Sequence, residues 1–164
     1  MTFSSPEFRT GTGYDSHRFG DGGPMRLGGV DVPSDVHCAG HSDGDAICHA
    51  LTDAILGAAG LGDIGELYPD TDPANEGRDS VEMLAAALAL VRRQRFRVVN
   101  VDATVIAERP KIGPHRAAIR ARLATVLGLD LTAVGIKGKT NEGMGWVGRG
   151  EGLAVIAVAT LARG

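Results

Sequence analysis

The sequence predicts an α+β fold, a two-layer α/β sandwich in which helices pack on one face of a mixed sheet of about four main strands, with a small hairpin beside it. Runs of strand character and apolar patterns of helical period follow one another in the order strand, helix, helix, strand, helix, strand, strand. The 164 residues contain no internal repeat or linker. We therefore expect a single domain over residues 11–164, preceded by a flexible N-terminal tail over residues 1–10.

The first predicted strand runs from Phe8 to Phe19 with a loose alternation of residue types. It carries Asp15 and His17, and residues two apart point to the same face of a strand. A carboxylate and an imidazole placed in this way form half of a metal site. A simple Asp–His hydrogen bond at the end of the strand explains the pair equally well.

The stretch from His41 to Asp53 contains two histidines and three aspartates. Its second half has apolar residues at helical spacing, which predicts a helix, and Asp43 or Asp45 is suited to cap its first turn. His49 lies four residues from both Asp45 and Asp53 and shares a helix face with them. A capped helix with a solvated acidic turn and a core histidine explains each residue separately, whereas the whole cluster favours a divalent metal.

The remaining elements follow from shorter patterns of the same kinds. They are, in chain order, a hairpin over 25–33 that turns at Gly28 and Gly29, a helix over about 80–94 that opens at Asp79, a strand over 98–107, a helix over about 115–127, a short strand over 131–137 and an apolar run over 152–162. The last run is suited to a buried strand or to a subunit contact. In the third helix, Arg116, Arg120 and Arg122 are expected to form a solvated face.

Glycine, with 24 of the 164 residues, is about twice as frequent as in an average protein. The glycines cluster in residues 11–29, 57–65 and 135–152, which suggests three loops that meet at a site, although many tight turns would give the same clusters. The loop over residues 60–73 contains four acidic side chains and two prolines. Loops of this length in compact domains are often binding loops or lids.

Composition excludes several classes of protein. A formal net charge of −3 with scattered Lys and Arg indicates no surface for nucleic acid or membranes. The first ten residues lack the apolar segment of a signal peptide, and no apolar run is long enough to span a membrane. Cys38 and Cys48 do not make a disulfide framework, so we expect a reducing, cytoplasmic location.

Two familiar motifs are rejected. The Gly-Lys-Thr run at residues 138–140 resembles the end of a P-loop, but Ala133 stands where the motif needs its first glycine. The glycine-rich residues 141–152 are also not expected to form the helix that a P-loop opens. Residues 43–45 begin like a calcium loop, yet the required glycine and glutamate are missing further on.

The residues that remain indicate metal-assisted chemistry on a phosphate. They are the Asp-x-His strand, the acidic and histidine-rich turn, and a glycine-rich loop with Lys139, Thr140, Glu142 and Arg149. Backbone amides and hydroxyls of such loops bind phosphate oxygens. Histidine ligands suit zinc, whereas a lone carboxylate near phosphates suits magnesium. We therefore predict metal-assisted attack on a phosphate of a small phosphorylated substrate.

Separated motifs over nearly the whole chain after residue 10 resemble those of the 2-C-methyl-D-erythritol 2,4-cyclodiphosphate synthases, enzymes of non-mevalonate isoprenoid biosynthesis. The motifs are Gly13–His17, His41–Asp53, Leu61–Gly65, Tyr68–Asp72, Arg109–Lys111, and Lys139–Glu142 with Gly148–Gly152. Lys139 departs from the many members that have Thr there, and Trp146 from those that have Phe. The resemblance implies a phosphorus–oxygen lyase that converts 4-diphosphocytidyl-2-C-methyl-D-erythritol 2-phosphate to the 2,4-cyclodiphosphate and CMP.

The resemblance also implies roles that spacing alone does not assign. The implied zinc ligands are Asp15, His17 and His49, the implied ligand of a substrate-borne magnesium or manganese ion is Glu142, and the implied catalytic residues are His41 and Thr140. The implied substrate-binding residues are Ser42, Asp63, Ile64, Gly65, Tyr68, Pro69, Asp70, Thr71, Asp72, Ala107, Lys111, Gly113, Asn141, Trp146 and Arg149. Members of the family are homotrimers with active sites between subunits, which implies the same assembly and a bacterial cytoplasmic enzyme here.

Two other functions stay open at this point. A zinc-dependent phosphohydrolase would use water in place of the internal phosphate nucleophile and would release a linear product. A non-catalytic module would bind metal and a cytidine nucleotide without turnover. The free fourth position expected at the zinc, together with Thr140 and Glu142, argues for an enzyme.

Overall fold

A computed structural model of the chain describes residues 6–164, in which one five-stranded sheet and a separate two-stranded hairpin pack with five α-helices. The strands are β1 (Glu7–Asp21), β2 (Met25–Leu27), β3 (Val30–Val32), β4 (Val36–Cys38), β5 (Arg97–Ile106), β6 (Val134–Lys139) and β7 (Gly152–Arg163). The helices are α1 (Ala46–Ala59), α2 (Ile64–Leu67), α3 (Ser80–Arg93), α4 (Arg116–Leu127) and α5 (Gly145–Gly148). This is the predicted α+β architecture of a mixed sheet with a hairpin.

The strand order places the functional loops at one edge of the sheet. The order is β4-β1-β7-β5-β6, in which β1 and β5 run antiparallel to β7 and β6 runs parallel to β5. The C-terminal ends of β1, β5 and β6 therefore lie at the same edge as the beginning of β7. Because the loops that leave this edge start close together, residues far apart in the chain can meet there.

Helix α1 packs directly on β1 because two inward-facing positions of the strand are glycines. A Cβ atom at Gly11 would lie 2.1 Å from the carbonyl oxygen of Ala54, and one at Gly13 would lie 1.9 Å from that of Ala50. No side chain fits at either position, so the helix backbone touches the strand. The next inward positions along β1 are Asp15 and His17, and they face the N-terminal part of α1.

Helix starts agree closely with the sequence patterns. Asp45 caps α1 by accepting a hydrogen bond from the backbone N–H of Cys48, and Asp79 caps α3 in the same way through Val81. In the hairpin of β2 and β3, Gly28 and Gly29 form the turn, as predicted.

Four expectations need correction. The boundary placed at residue 10 falls inside β1, which begins at Glu7, while residues 1–5 of the expected tail lie outside the described residues. Strand β6 begins at Val134, because residues 131–133 form a 3-10 turn. The short helix α5 forms within the glycine-rich stretch that was expected to contain none. Arg120 does not point into solvent, since its guanidinium donates to the carbonyl oxygens of residues 131 and 134 at 2.7 and 2.8 Å.

The face of the sheet turned away from the helices carries large exposed apolar side chains. Phe8, Tyr14 and Ile156 are 61%, 58% and 46% exposed. Tyr14 and Ile156 are direct partners across β1 and β7, so they form one continuous apolar surface. Within residues 6–164, no helix has the length and apolar character needed to cross a membrane.

Candidate active site

Three of the predicted metal ligands meet where β1 approaches the first turn of α1. The Oδ2 atom of Asp15 lies 2.9 Å from Nδ1 of His17 and 3.3 Å from Nδ1 of His49. The ligand atoms of the three residues all lie within 4.8 Å of one another, which is close enough to share one metal ion. In the described part of the chain, no other group of three His, Cys, Asp or Glu residues meets this condition.

The site also has an atom that a metal would satisfy. Nδ1 of His17 is buried and has no hydrogen-bond partner, because its close contact with Asp15 is not aligned for a hydrogen bond. Buried polar atoms rarely lack a partner. Two imidazoles and one carboxylate are a donor set that fits zinc with a fourth position left for another ligand.

The nearby cysteines do not compete as ligands. Cys38 and Cys48 are free and buried, as expected for a chain without a disulfide framework. Burial raises the pKa of Cys38 to about 12 and raises the pKa of Cys48 well above its ordinary value. Since a thiol must lose its proton to bind metal, both side chains are better described as core residues.

The electrostatics of the three ligands favour a bound cation. Burial raises the pKa of the Asp15 carboxyl, but its contacts with His17 and His49 lower it more, and the result lies below the ordinary value. Burial lowers the pKa of His49, but the hydrogen bond with Asp15 and its charge raise it above the ordinary value. Asp15 therefore stabilises a positive charge at His49.

A pocket of about 440 Å³ opens over these ligands. The predicted site residues that line it are Asp15, His17, His41, Ser42, His49, Ile64, Gly65, Tyr68 and Asp70. The other predicted residues of the same loop do not line the pocket; they are Asp63, which caps α2, Asp72, which caps the following 3-10 turn, and Pro69 and Thr71 between them. The structure thus brings β1, the start of α1 and the loop over residues 60–73 to one cavity.

Two side chains fix that loop, one from α1 and one from the 3-10 turn at Pro73–Asn75. The Oδ1 atom of Asp53 accepts a hydrogen bond from the backbone N–H of Ile64 at 2.8 Å, and Nδ2 of Asn75 donates to the carbonyl oxygen of Pro69 at 3.0 Å. Both Asp53 and Asn75 also line the pocket. Helical spacing had already placed Asp53 on the face of His49, whereas nothing in the sequence pattern singled out Asn75.

A second pocket, of about 270 Å³, lies where β5 and β6 end. The predicted residues that line it are Ala107, Lys111, Gly113 and Thr140, and they are joined by Arg116 and Lys139. Arg116 is exposed, as expected for a solvated face, and it also adds a cation to the lining of this pocket. The Gly-Lys-Thr run lies at the end of β6 instead of opening a helix, which confirms that it is not a P-loop.

The loop after β6 is held by a residue that the sequence did not reveal. The Oε1 atom of Glu108 accepts hydrogen bonds from the backbone N–H groups of Asn141 at 2.9 Å and Gly143 at 3.4 Å. In the same loop, Oγ1 of Thr140 donates a hydrogen bond to a carboxylate oxygen of Glu142 at 3.1 Å. The backbone of Glu142 has φ +52°, so this turn presents a hydroxyl and a carboxylate side by side.

Three further predicted substrate residues, Asn141, Trp146 and Arg149, line neither of these two pockets. Trp146 borders a smaller cavity of about 190 Å³ together with Arg18 and Glu151, and His17 forms part of its wall. Arg149 is paired with Glu151 through an Nε–Oε1 distance of 2.6 Å.

The pocket over the metal cluster and the pocket at the ends of β5 and β6 open at the same edge of the sheet but have no lining residue in common. The metal cluster is carried by β1 and the second pocket by β5 and β6, with β7 lying between β1 and β5. Three strand spacings correspond to roughly 14 Å along the edge between β1 and β6.

Comparison with known sequences gives one consistent family. The model of the YgbB family matches residues 8–162. A protein of Gemmatimonas aurantiaca named 2-C-methyl-D-erythritol 2,4-cyclodiphosphate synthase is 72% identical over 153 residues, which are 93% of this chain and 92% of its own length. A protein of the same name from Chromobacterium violaceum is 54% identical over 156 residues, covering 95% and 99% of the two chains.

Solved structures agree with these relatives. The bifunctional IspDF of Campylobacter jejuni matches with a TM-score of 0.94 at 44% identity over 98% of this chain, which spans only 43% of that longer chain. The CDP-bound form of a 2C-methyl-D-erythritol-2,4-cyclodiphosphate synthase matches with a TM-score of 0.86 at 42% identity, covering 93% of this chain and 99% of that one.

Proposed function

The chain belongs to the YgbB family, and we propose that the pocket over Asp15, His17 and His49 carries out the reaction for which its relatives are named. The enzyme is a 2-C-methyl-D-erythritol 2,4-cyclodiphosphate synthase by activity. It converts 4-diphosphocytidyl-2-C-methyl-D-erythritol 2-phosphate to the 2,4-cyclodiphosphate and CMP. The observation that carries the site assignment is the three-ligand cluster at the base of the pocket.

The reaction needs positioning more than covalent catalysis. An oxygen of the 2-phosphate forms a new bond to the distal phosphorus of the diphosphate, and the bond from that phosphorus to the bridging oxygen breaks. CMP leaves with that oxygen. Because charge is spread over the phosphoryl oxygens in the transition state, cations and hydrogen-bond donors fixed around them supply most of the rate enhancement.

We propose that Asp15, His17 and His49 hold one zinc ion per subunit. The unpartnered Nδ1 of His17 and the carboxylate between two imidazoles support this donor set. When bound, zinc would act as a Lewis acid toward a phosphate oxygen at its free position. His41 and Ser42 line the same pocket. They would bind the 2-phosphate through an imidazole and a hydroxyl.

The loop after β6 is proposed to meet the diphosphate. Thr140 would donate its hydroxyl to a phosphate oxygen, and Glu142 would supply one carboxylate to a magnesium or manganese ion whose other ligands are phosphates and water. The hydroxyl of Thr140 donates to the carboxylate of Glu142, which keeps the two side chains close to each other. Residues 107–113 would hold the cytosine, and Asn141, Trp146 and Arg149 would contact other parts of the substrate.

The proposed assembly is a homotrimer with active sites between subunits. Within one subunit the metal pocket and the second pocket are separated by roughly three strand spacings. The apolar surface around Tyr14 and Ile156 is exposed and lies on the face that helices do not cover. A neighbouring subunit packed on this face would bury it and would bring its second pocket toward the metal pocket. The proposed location is the bacterial cytoplasm, where two free thiols would stay reduced.

Phosphorus NMR of the purified protein with its substrate tests the proposal. The expected result is a metal-dependent loss of the diphosphate and 2-phosphate signals and the appearance of a cyclic diphosphate together with CMP. A linear product would mean that water is the nucleophile and that the protein is a phosphohydrolase. Binding of CDP without turnover would identify a non-catalytic module.

A further inference from the structure

A chain of hydrogen bonds reaches the metal cluster from the far side of His49. The Nε2 atom of His49 lies 2.7 Å from Oγ of Ser80, the first residue of α3. The Ser80 hydroxyl in turn donates to Oδ1 of Asp43. Ser80 is completely buried, so its hydroxyl cannot exchange this partner for solvent.

The donors and acceptors in this series of hydrogen bonds determine the direction in which each bond is donated. A carboxylate only accepts hydrogen bonds, and a serine hydroxyl has a single proton to donate. Because Ser80 gives its proton to Asp43, its oxygen can only accept from the ring of His49. Nε2 of His49 must therefore carry a proton. When Nδ1 gives up the proton that it donates to Asp15, the lone pair is left on Nδ1 and is free to bind a metal.

Asp43 is held firmly enough to keep this direction. Its Oδ1 also accepts from the backbone N–H of Asp45 at 3.1 Å, and its Oδ2 accepts from the backbone N–H of Ser80 at 3.2 Å. The guanidinium Nε of Arg26 lies 4.0 Å from Oδ2. These contacts occupy the carboxylate from several directions, so its orientation toward the Ser80 hydroxyl is fixed.

We propose that Ser80 and Asp43 are positioning residues that hold His49 as the tautomer protonated on Nε2 and so present Nδ1 to the metal. This inference rests on the proposed metal site of Asp15, His17 and His49. Hydrogen bonds to the second nitrogen of a metal-binding histidine fix its tautomer and ring orientation, and their loss typically weakens metal binding about 10- to 100-fold. Sequence gave no sign of this link, because 31 residues separate Ser80 from His49.

Ser42 is the rival for this role. Its Oγ lies 3.0 Å from the same Nε2, and it accepts only a long contact from the N–H of Gly44 at 3.4 Å. The Ser42 hydroxyl proton has no carboxylate to bind, so this side chain does not force the tautomer. Comparing variants of Ser80 and Ser42 therefore distinguishes a hydrogen bond that determines the tautomer of His49 from a hydroxyl that only lies near the ring.

The test is the zinc dissociation constant, measured by competition with a fluorescent chelator. The variants are Ser80→Ala, Asp43→Asn and Ser42→Ala, and the matched control is Thr52→Val, which removes a buried hydroxyl of α1 that bonds only to a backbone carbonyl. We expect Ser80→Ala and Asp43→Asn to weaken zinc binding about 10- to 100-fold, Ser42→Ala less, and Thr52→Val not at all. An asparagine can donate to Ser80, so Asp43→Asn tests the direction of the chain even if Ser80→Ala fails to fold.

Nitrogen-15 NMR of histidine-labelled, metal-free protein, recorded at a pH at which His49 is neutral, gives a readout that lost stability alone would not change. The wild-type protein should show His49 protonated on Nε2, and the two variants should show a mixed population. Zinc affinity of Ser80→Ala within about twofold of wild type with Nε2 still protonated would overturn the inference, as would a larger loss in Ser42→Ala than in Ser80→Ala. If the wild-type protein itself binds no zinc, the proposed metal site fails and the inference fails with it.

Discussion

Oδ2 of Asp15 lies 3.3 Å from Nδ1 of His49, although the two residues are 34 positions apart and belong to a strand and a helix. This contact joins the two sequence patterns that each indicated half of a metal site. We expect His49→Ala to lose stoichiometric zinc and most activity while the fold is retained. Elemental analysis and circular dichroism of the variant test this, and full zinc content would exclude His49 as a ligand.

The same pair predicts how stability depends on pH. In the metal-free protein the raised pKa of His49 contributes stability that is complete below the ordinary value of 6.5 and is lost as pH rises through the folded value. The lowered pKa of Asp15 contributes stability that is present above 3.8 and is lost in more acidic solution. The stabilising effect of the pair, measured against Asp15→Asn by urea unfolding, should therefore be largest between these two values.

Saturating zinc should reverse the pH dependence of the free energy of unfolding above the ordinary histidine pKa of 6.5. A metal-bound imidazole must be unprotonated, so zinc binding strengthens as pH rises through the pKa of His49. The free energy of unfolding of the zinc-loaded protein should thus increase with pH where that of the metal-free protein falls. The same slope in both forms would mean that His49 does not exchange a proton for the metal.

Gly13 should be intolerant of any side chain. An added Cβ would lie 1.9 Å from the carbonyl oxygen of Ala50, so Gly13→Ala must push α1 away from β1. We expect a loss of about 1–3 kcal/mol in the free energy of unfolding and weaker zinc binding, because His49 moves with the helix. The matched control is Gly57→Ala in α1, because a Cβ added at Gly57 would have no atom of another part of the chain within 4 Å. This substitution should be neutral or stabilising. Equal effects of the two substitutions would contradict direct packing of α1 on β1.

Substitutions of Thr140 and Glu142 should lower the rate for different reasons, and magnesium should distinguish them. Thr140→Ala removes a hydrogen bond to a charged phosphate, and a loss of roughly 1.5–3 kcal/mol corresponds to about a 10- to 100-fold lower rate. Thr140→Ser keeps the hydroxyl and should restore most of that rate. Glu142→Gln should retain zinc but require much more magnesium for turnover. Magnesium titrations of the initial rate check both roles, and rescue of Thr140→Ala but not of Glu142→Gln would mean that the roles are exchanged.

The exposed apolar face predicts an oligomer. Ile156→Glu places a charge at the centre of this face and should convert the assembly to monomers with little activity but with the metal ligands intact. Leu131→Glu is a suitable control because Leu131 is also 46% exposed but lies on the 3-10 turn before β6. Light scattering measures the mass of each variant. A fully active monomeric wild-type protein would exclude sites shared between subunits.

The sequence by itself determined the elements and most of the chemistry. Alternation and helical period located the strands and helices, because side-chain burial on one face imposes those periods. Asp15 with His17, and His49 with its acidic turn, were visible because each group is local in the chain. The resemblance to a family then selected His49 over His41, which spacing alone left open.

Only the tertiary structure decided what these groups touch. Ser80 and Glu108 carry no local pattern, and each acts on a residue brought near by the packing of separate elements. Helix α1 reaches Asp15 because Gly11 and Gly13 remove the side chains between them, and a glycine in a strand does not reveal which backbone it will meet. Contacts between distant segments depend on the order of strands in the sheet, which local periodicity does not encode.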